Sequence, residues 1–237
     1  MLPANSDLSL EELERLRQFD TCTLSNAIER LNLRPRNEGF VNGKVTCRFP
    51  QLNTMIGYAV TARMRSSVTP VNGRCYYQHS DFWKYFATCS RPRILVMQDA
   101  DESPGMGALL GEAYARISGA LGCVGCVTNG AVRDLKGIEA LGYQVFAGCV
   151  SVSHAYAHVV DFGEPVEIGG LRISPGDLLG GDRHGVLTIP RRAASGLPVV
   201  AEQVLREDRE LFELTERKDF SVATLSARLE GVNRHLL

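Results

Sequence analysis

Arg133 and Asp134 close the run Asn129-Gly-Ala-Val-Arg-Asp134. A guanidinium beside a carboxylate suits two tasks. Arginine can make a forked pair of hydrogen bonds to a carboxylate or an enolate. Aspartate is a hard oxygen ligand for Mg²⁺ or Mn²⁺. By pattern alone, the pair reads as a surface ion pair before it reads as a site. Upstream stand Gly111, Glu112, Ala113 and Tyr114, after glycines at 105 and 107. Glycines let the backbone approach a ligand closely. A helix starting there offers unpaired N–H groups and a positive dipole end to an anion. The carboxylate of a 2-oxo acid is such an anion. Turn formation and helix packing are the other reading of these glycines.

Other chemistry-bearing residues compete with these. Cys123-x-x-Cys126 lies in an apolar run with no second Cys pair, so it reads as core thiols rather than a zinc or redox site. His154 and His158 would share a face if helical, but no HExxH pattern accompanies them. They and His184, in Gly-Asp-Arg-His-Gly, are candidates to line a site. Gln98, Asp99, Asp101 and Glu102 follow a strand-like run, at the end where open α/β sheets place ligand groups. A metal could sit there. Asp20 reads as a helix N-cap before it reads as a site carboxylate.

The elements that must position these groups follow from periodicity. Ser9-Leu-Glu-Glu12 is a capping box that opens a helix over 10–18. A second helix starts at Asp20 or Thr21, with Leu24, Ile28 and Leu31 as its apolar face. Residues 33–53 read as an irregular surface excursion. Met55 to Met64 and Arg93 to Ala100 are strands, the first buried on both faces. The aromatics Tyr76, Tyr77, Phe82, Trp83, Tyr85 and Phe86 point to core or interface packing around a helix near 80–87. A helix over 112–120, a strand over 121–128, a helix over 131–141 and a short strand over 144–147 follow. Short strands are expected at 165–168, 171–173, 177–179 and 185–190, with a turn at Gly181 to His184. Residues from Arg192 onward read as charged helices. This alternation implies a mixed, layered α/β domain.

Bulk properties narrow the classes. The 237 residues suit one large domain with terminal additions, and a net charge of −1 favours neither nucleic acid nor membrane as partner. No apolar run has transmembrane length, and the polar, acidic start is unlike a signal peptide. Seven irregularly spaced cysteines suggest reduced thiols in the cytoplasm. Lysine is confined to positions 44, 84, 136 and 218. A Schiff-base mechanism has one candidate, Lys136, which reads as a solvated helix position.

Three segments together resemble a known family: GALLGEAYARISGALGCVGCVTNGAVRD, then LGYQVFAG, then GGLRISPGDLLGGDRHGVLTIP. DTCTLSNA and MIGYAVTARM fit its N-terminal half. The chain resembles the RraA-like family, which includes 4-hydroxy-4-methyl-2-oxoglutarate aldolases and regulators of ribonuclease E activity. The resemblance implies a three-layer β/β/α, swivelling-domain-like fold with terminal helices. It implies an N-terminal helix over 1–19, a catalytic domain over 20–190 and a helical extension over 191–237. It also implies a class II, divalent-metal aldolase that releases pyruvate from a 2-oxo acid and decarboxylates oxaloacetate. The substrate loop would fall on Gly111, Glu112, Ala113 and Tyr114. The substrate-binding, catalytic arginine would be Arg133, and the metal-binding, catalytic aspartate Asp134. The cofactor would be Mg²⁺ or Mn²⁺, and the assembly a homotrimer or hexamer with sites between subunits. Ala113 and Tyr114 stand where the aldolases usually carry leucines, which implies a differently shaped pocket. Asn129 replaces a commonly acidic residue. The rival implied by the same family is a non-catalytic regulatory binding protein. A methyltransferase is disfavoured, because SSVTPVNG after the first strand offers no cofactor loop.

Overall fold

In the computed structural model, residues 7–71 and 79–231 are described. Tyr76 and Tyr77 of the aromatic stretch lie outside the described residues. Ser9 caps helix α1 (Leu10–Arg17) through a complete capping box with Glu12. Asp20 caps α2 (Thr21–Arg30), its carboxylate accepting the Thr23 N–H at 2.7 Å. That hydrogen bond fixes Asp20 as a cap. Leu24 and Ile28 are buried, but Leu31 stands past the last turn and is largely exposed.

The chain continues as β1 (Thr46–Cys47), β2 (Met55–Arg65), α3 (Ser80–Thr88), β3 (Arg93–Asp99), β4 (Ala108–Leu110), α4 (Glu112–Ala120) and β5 (Cys123–Thr128). Then come β6 (Ala131–Val132), α5 (Leu135–Ala140), β7 (Gln144–Ala147), β8 (Cys149–Val150), β9 (His158–Phe162), β10 (Val166–Ile168) and β11 (Leu171–Ile173). Next are β12 (Leu178–Asp182), β13 (Gly185–Ile189), α6 (Arg191–Ala194), α7 (Leu197–Glu216) and α8 (Val222–Gly231).

The main sheet runs β1-β7-β5-β3-β2-β12-β13, with β9 also pairing β2. Its centre, β7-β5-β3-β2, is parallel, and the flanking pairings are antiparallel. Period-two alternation sends the central strands' side chains to two cores. Val60, Leu95 and Cys126 face Phe82, Phe86, Tyr114 and Ile138 of the helical layer. Ala59, Ile94, Val96 and Val127 face Val166, Ile168 and Ile173 of the β10–β11 hairpin. The result is hairpin, sheet and helices in three layers. A third core joins Leu13, Leu24, Ile28 and Leu197 of the terminal helices to Ile56, Leu178 and Ile189. Each such aliphatic chain, fully buried, contributes roughly 1.5–3 kcal/mol.

The structure departs from the sequence reading in four places. The helix expected over 131–141 starts only at Leu135, because residues 131–132 pair as β6 and Asp134 takes a left-handed conformation. His154 and His158 do not share a helix: the first is in a loop and the second opens β9. β12 extends through Asp182, so the hairpin to β13 turns only at Arg183 and His184. The 33–53 segment is mostly irregular, yet it buries Val41, Val45 and Phe49.

Candidate active site

A second, three-stranded sheet, β4-β6-β8, lies apart from the main one and is parallel throughout. Its pairings align Ala108 with Ala131 and Cys149, and Leu110 with Val132 and Val150. The ladder extends beyond the strands. The Leu110 carbonyl accepts the Arg133 N–H at 3.0 Å, and the Val132 carbonyl accepts the Ser151 N–H at 3.1 Å. All three strands therefore discharge their chains at one end, where parallel sheets gather ligand groups. β4 leads into Gly111 and the start of α4. β6 leads into Arg133 and Asp134. β8 leads into the loop that carries His154. Since β6 is the middle strand, Arg133 and Asp134 lie between the other two exits.

Asp134 sits at φ 55°, ψ 38°. Aspartate tolerates this region because its short polar side chain can bond locally. The carboxylate does not cap α5. It reaches across to α4 instead, where Oδ2 accepts the Glu112 N–H at 3.2 Å, while Oδ1 accepts Arg133 Nε at 3.2 Å. Glu112 lies over Gly137 of α5, where a Cβ would collide with its carboxylate. The Glu112 carboxylate pairs with Arg116, one turn along α4, at 2.6 Å. That pair is exposed and adds little to stability.

On the other side, Arg133 Nη1 lies 3.2 Å from both ring nitrogens of His154. One guanidinium nitrogen thus faces both ring nitrogens, and the contact does not fix the tautomer. Burial, then the neighbouring Arg133 charge, pushes the His154 pKa below its ordinary value. The His154 loop is anchored at several points. Its Ser153 carbonyl accepts the Ala108 N–H at 2.9 Å, and the Tyr156 N–H donates to the Ser66 carbonyl at 3.1 Å. Ser66 Oγ accepts the Gly107 N–H at 3.0 Å. Gly107 packs on the His154 carbonyl so closely that no Cβ fits.

The acidic cluster after β3 serves this scaffold. Asp101 accepts four hydrogen bonds from the N–H and hydroxyl groups of Ser66 and Ser67. Burial opposes its ionisation, but those bonds outweigh it and leave the Asp101 pKa lowered. Asp99 is buried and accepts the N–H groups of Gly105 and Asp101 at 2.8 and 3.1 Å, with burial raising its pKa. Asn129 brackets the Asp99 backbone, donating to its carbonyl and accepting its N–H. These carboxylates shape turns and do not converge on an ion: among the described residues, no group of three His, Cys, Asp or Glu side chains could hold a metal.

Of the residues singled out in the sequence, Gly111, Glu112, Arg133 and Asp134 come together. Ala113 is exposed on the first turn of α4. Tyr114 is different. Its ring is fully buried, 4.8 Å from that of Trp83, so only its backbone belongs to the loop. His158 Nδ1 donates to the Tyr156 carbonyl at 2.7 Å, and His184 lies beside Asp182. Asp182 is itself buried and accepts the Thr21 N–H and hydroxyl at 2.6 and 2.7 Å, joining α2 to β12. Cys123 and Cys126 are buried core thiols, and burial raises both pKa values. Sequence reasoning missed Ser66, and it named Gly107 for approach to a ligand rather than for its packing on His154. No local pattern marks these contacts, because the partners are distant in the chain.

The donor set fits a metal anchored by a single carboxylate. Mg²⁺ is commonly held by one or two carboxylates, with waters and substrate oxygens completing its shell. The Asp134 side chain is 37% exposed, and each of its oxygens has one donor in the structure and retains a further lone pair.

Comparison with known proteins bears on these features. A family model described as RraA-like, Aldolase/RraA, matches residues 21–188. A protein of Halalkalibacterium halodurans provisionally named 4-hydroxy-4-methyl-2-oxoglutarate aldolase is 33% identical over 85 residues, covering 35% of this chain and 40% of that protein. Less than half of that relative is therefore matched. The solved structure of Streptomyces coelicolor RraAS2, described as an unusual member of the RNase ES inhibitor RraA protein family, superposes with a TM-score of 0.66 at 21% identity, covering 90% of this chain and all of that one. A structure described among novel cellulases from gut-associated microbes superposes with a TM-score of 0.72 at 16% identity, covering 89% and 90% of the two chains. At such identities these two show the fold alone, and their different descriptions illustrate that a fold does not fix an activity. With the model match spanning most of the chain, this protein belongs to the RraA-like family.

Proposed function

We propose that the chain is a class II, divalent-metal-dependent lyase. It cleaves a C–C bond in a 2-oxo acid such as 4-hydroxy-4-methyl-2-oxoglutarate to release pyruvate, and decarboxylates oxaloacetate as a second activity. One observation carries this reading: Arg133, Asp134 and the N-terminus of α4 meet at a single junction, with Asp134 hydrogen-bonded to both neighbours. The H. halodurans relative supports the aldolase class by its name.

Asp134 would hold Mg²⁺ or Mn²⁺, which when bound polarises the 2-oxo group as a Lewis acid. The Arg133 guanidinium pairs with the substrate carboxylate and stabilises the negative charge that develops on the enolate oxygen. Gly111, with no side chain, lets that carboxylate approach the first-turn N–H groups of Ala113 and Tyr114. Lys136 is exposed, and the chemistry asks no Schiff base of it.

The site is open on one protomer, and apolar side chains flank it: Met106, Val150 and Val152 are 59, 51 and 94% exposed. A homotrimer or hexamer that covers these residues would close the site against water. No described helix is long and apolar enough to cross a membrane.

The experiment is a panel of 2-oxo acids with Mg²⁺ or Mn²⁺, comparing the parent chain with Asp134→Ala. Metal-dependent pyruvate release by the parent and its loss in the variant are expected. Absence of turnover with either metal across the panel would overturn the lyase in favour of a regulatory binding protein.

A further inference from the structure

The proposed cleavage needs a group to take a proton, and neither Arg133 nor a metal-bound Asp134 can do so. A 4-hydroxy-2-oxo acid must lose its hydroxyl proton as the C3–C4 bond breaks, and the enolate must gain one at C3. From the placement of His154 against Arg133 we infer that its imidazole carries this proton in both directions. The inference rests on the lyase reading.

Three observations support it. His154 is on the exit of the strand next to the Arg133–Asp134 exit, and its ring nitrogens lie 3.2 Å from the Arg133 guanidinium. A substrate paired with that guanidinium would be within reach of the ring. Second, the loop is constructed around this residue. Gly107 has no room for a side chain against the His154 carbonyl, and the Ala157 N–H bonds that same carbonyl at 2.9 Å. Third, the backbone is held in an unfavourable conformation at this junction. Among the described residues, Asn32, Asp134 and Ala155 are the non-glycine residues at positive φ, and the latter two adjoin the Arg133–His154 contact. Such conformations persist where the surroundings over-determine them, and they concentrate at functional sites.

The step balances within one substrate molecule. The neutral imidazole removes the proton from the C4 hydroxyl. The C3–C4 bond breaks, its electron pair passes into the pyruvate enolate, and C4–O becomes the carbonyl of the second product. The imidazolium then returns its proton to C3. Burial and the Arg133 charge, opposed in part by Asp134, lower the His154 pKa and so favour the neutral imidazole that a base needs. Oxaloacetate carries no 4-hydroxyl. Its decarboxylation needs no base, and solvent can protonate the resulting enolate.

The two reactions therefore separate under substitution. Parent, His154→Gln and His154→Ala chains are assayed with Mg²⁺ for cleavage of 4-hydroxy-4-methyl-2-oxoglutarate and for oxaloacetate decarboxylation, with oxalate binding measured by calorimetry. For His154→Gln, kcat for cleavage should fall about 10²- to 10⁴-fold, the usual range for an acid–base group. Decarboxylation should change less than about tenfold, and oxalate affinity should hold. Added imidazole should restore part of the cleavage activity to His154→Ala. Undiminished cleavage by His154→Gln overturns the inference and leaves the lyase reading standing. Equal losses in both reactions without imidazole rescue overturn it in favour of a role in positioning Arg133. A parent chain that cleaves no 4-hydroxy-2-oxo acid removes the lyase reading and this inference together.

Discussion

Asp134 accepts the backbone N–H of Glu112 at 3.2 Å, across 22 residues of chain. The bond ties the turn after β6 to the first turn of α4, so one carboxylate both shapes the junction and is available to a cation. The two roles separate by substitution. Asp134→Asn keeps a side chain that tolerates φ 55° and can still accept the Glu112 N–H, but it removes the charge. It should retain the parent's melting temperature to within a few degrees and lose metal-dependent turnover. Asp134→Ala should lose the same turnover and about 1 kcal/mol of stability as well, because alanine is strained in this conformation. Thermal melts and Mg²⁺ titration calorimetry on the two variants check this. A fully active Asp134→Asn would remove the aspartate from metal binding.

Glycine substitutions should report on the scaffold. A Cβ at Gly107 meets the His154 backbone, which cannot swing aside as a flexible side chain would. Gly107→Ala should destabilise by about 1–3 kcal/mol, the cost of overpacking, and lower activity by displacing His154. Gly119 lies in α4, where a Cβ meets nothing within 4 Å. Gly119→Ala should stabilise by about 0.5 kcal/mol through the unfolded chain. Chemical denaturation of both variants gives the comparison. Equal stability changes would contradict the packing described at Gly107.

Tyr114 tests whether the family difference at this position acts through the pocket. The ring is buried against Trp83 in the core. Tyr114→Leu should cost about 2 kcal/mol as a large-to-small core substitution, and leave KM for the preferred 2-oxo acid within about twofold, since the position contributes backbone to the loop. A lowered melting temperature with unchanged KM is the expected pair of readings. A large KM shift at unchanged stability would put the side chain in the pocket after all.

Thiol chemistry should follow burial. Cys123 and Cys126 are buried with raised pKa values, so little thiolate forms at pH 8, whereas Cys22 is exposed. Burial raises the Cys22 pKa as well, so its advantage comes from access. Iodoacetamide labelling of the native chain, mapped by mass spectrometry, should modify Cys22 well before Cys123 and Cys126, which should react only on unfolding. Rapid labelling of the latter pair in the native state would contradict their place in the core.

Long elements with strong local signals were legible in the sequence. The Ser9 capping box, the full extent of α4 and the doubly buried β2 all follow from patterns contained within one segment. The two-residue strands β6 and β8 were not, because so short a run has no periodicity to read. Their pairing moved the start of α5 to Leu135. The candidate site divides in the same way. That Gly111, Glu112, Arg133 and Asp134 lie together follows what residue types and the family resemblance implied. The contact of His154 with Arg133 could not be read there, since it joins residues 21 apart through a strand pairing. Nor could the inward turn of Tyr114, which depends on which face of α4 meets the sheet. The acidic residues Asp99 and Asp101 look like ligands in sequence. Their carboxylates bind backbone N–H and serine groups instead.

The starts of α4, Arg133-Asp134 and the His154 loop each follow directly from one of the three strands of the small parallel sheet. Neighbouring strands lie about 4.8 Å apart, a spacing set by backbone hydrogen bonds. The sheet thus acts as a ruler with three marks, close to the scale of a small carboxylic acid. Side-chain substitutions can change what stands at each mark, but the intervals belong to the backbone. On the proposed lyase reading, a different substrate would be accommodated by altering one mark while the other two keep their separation.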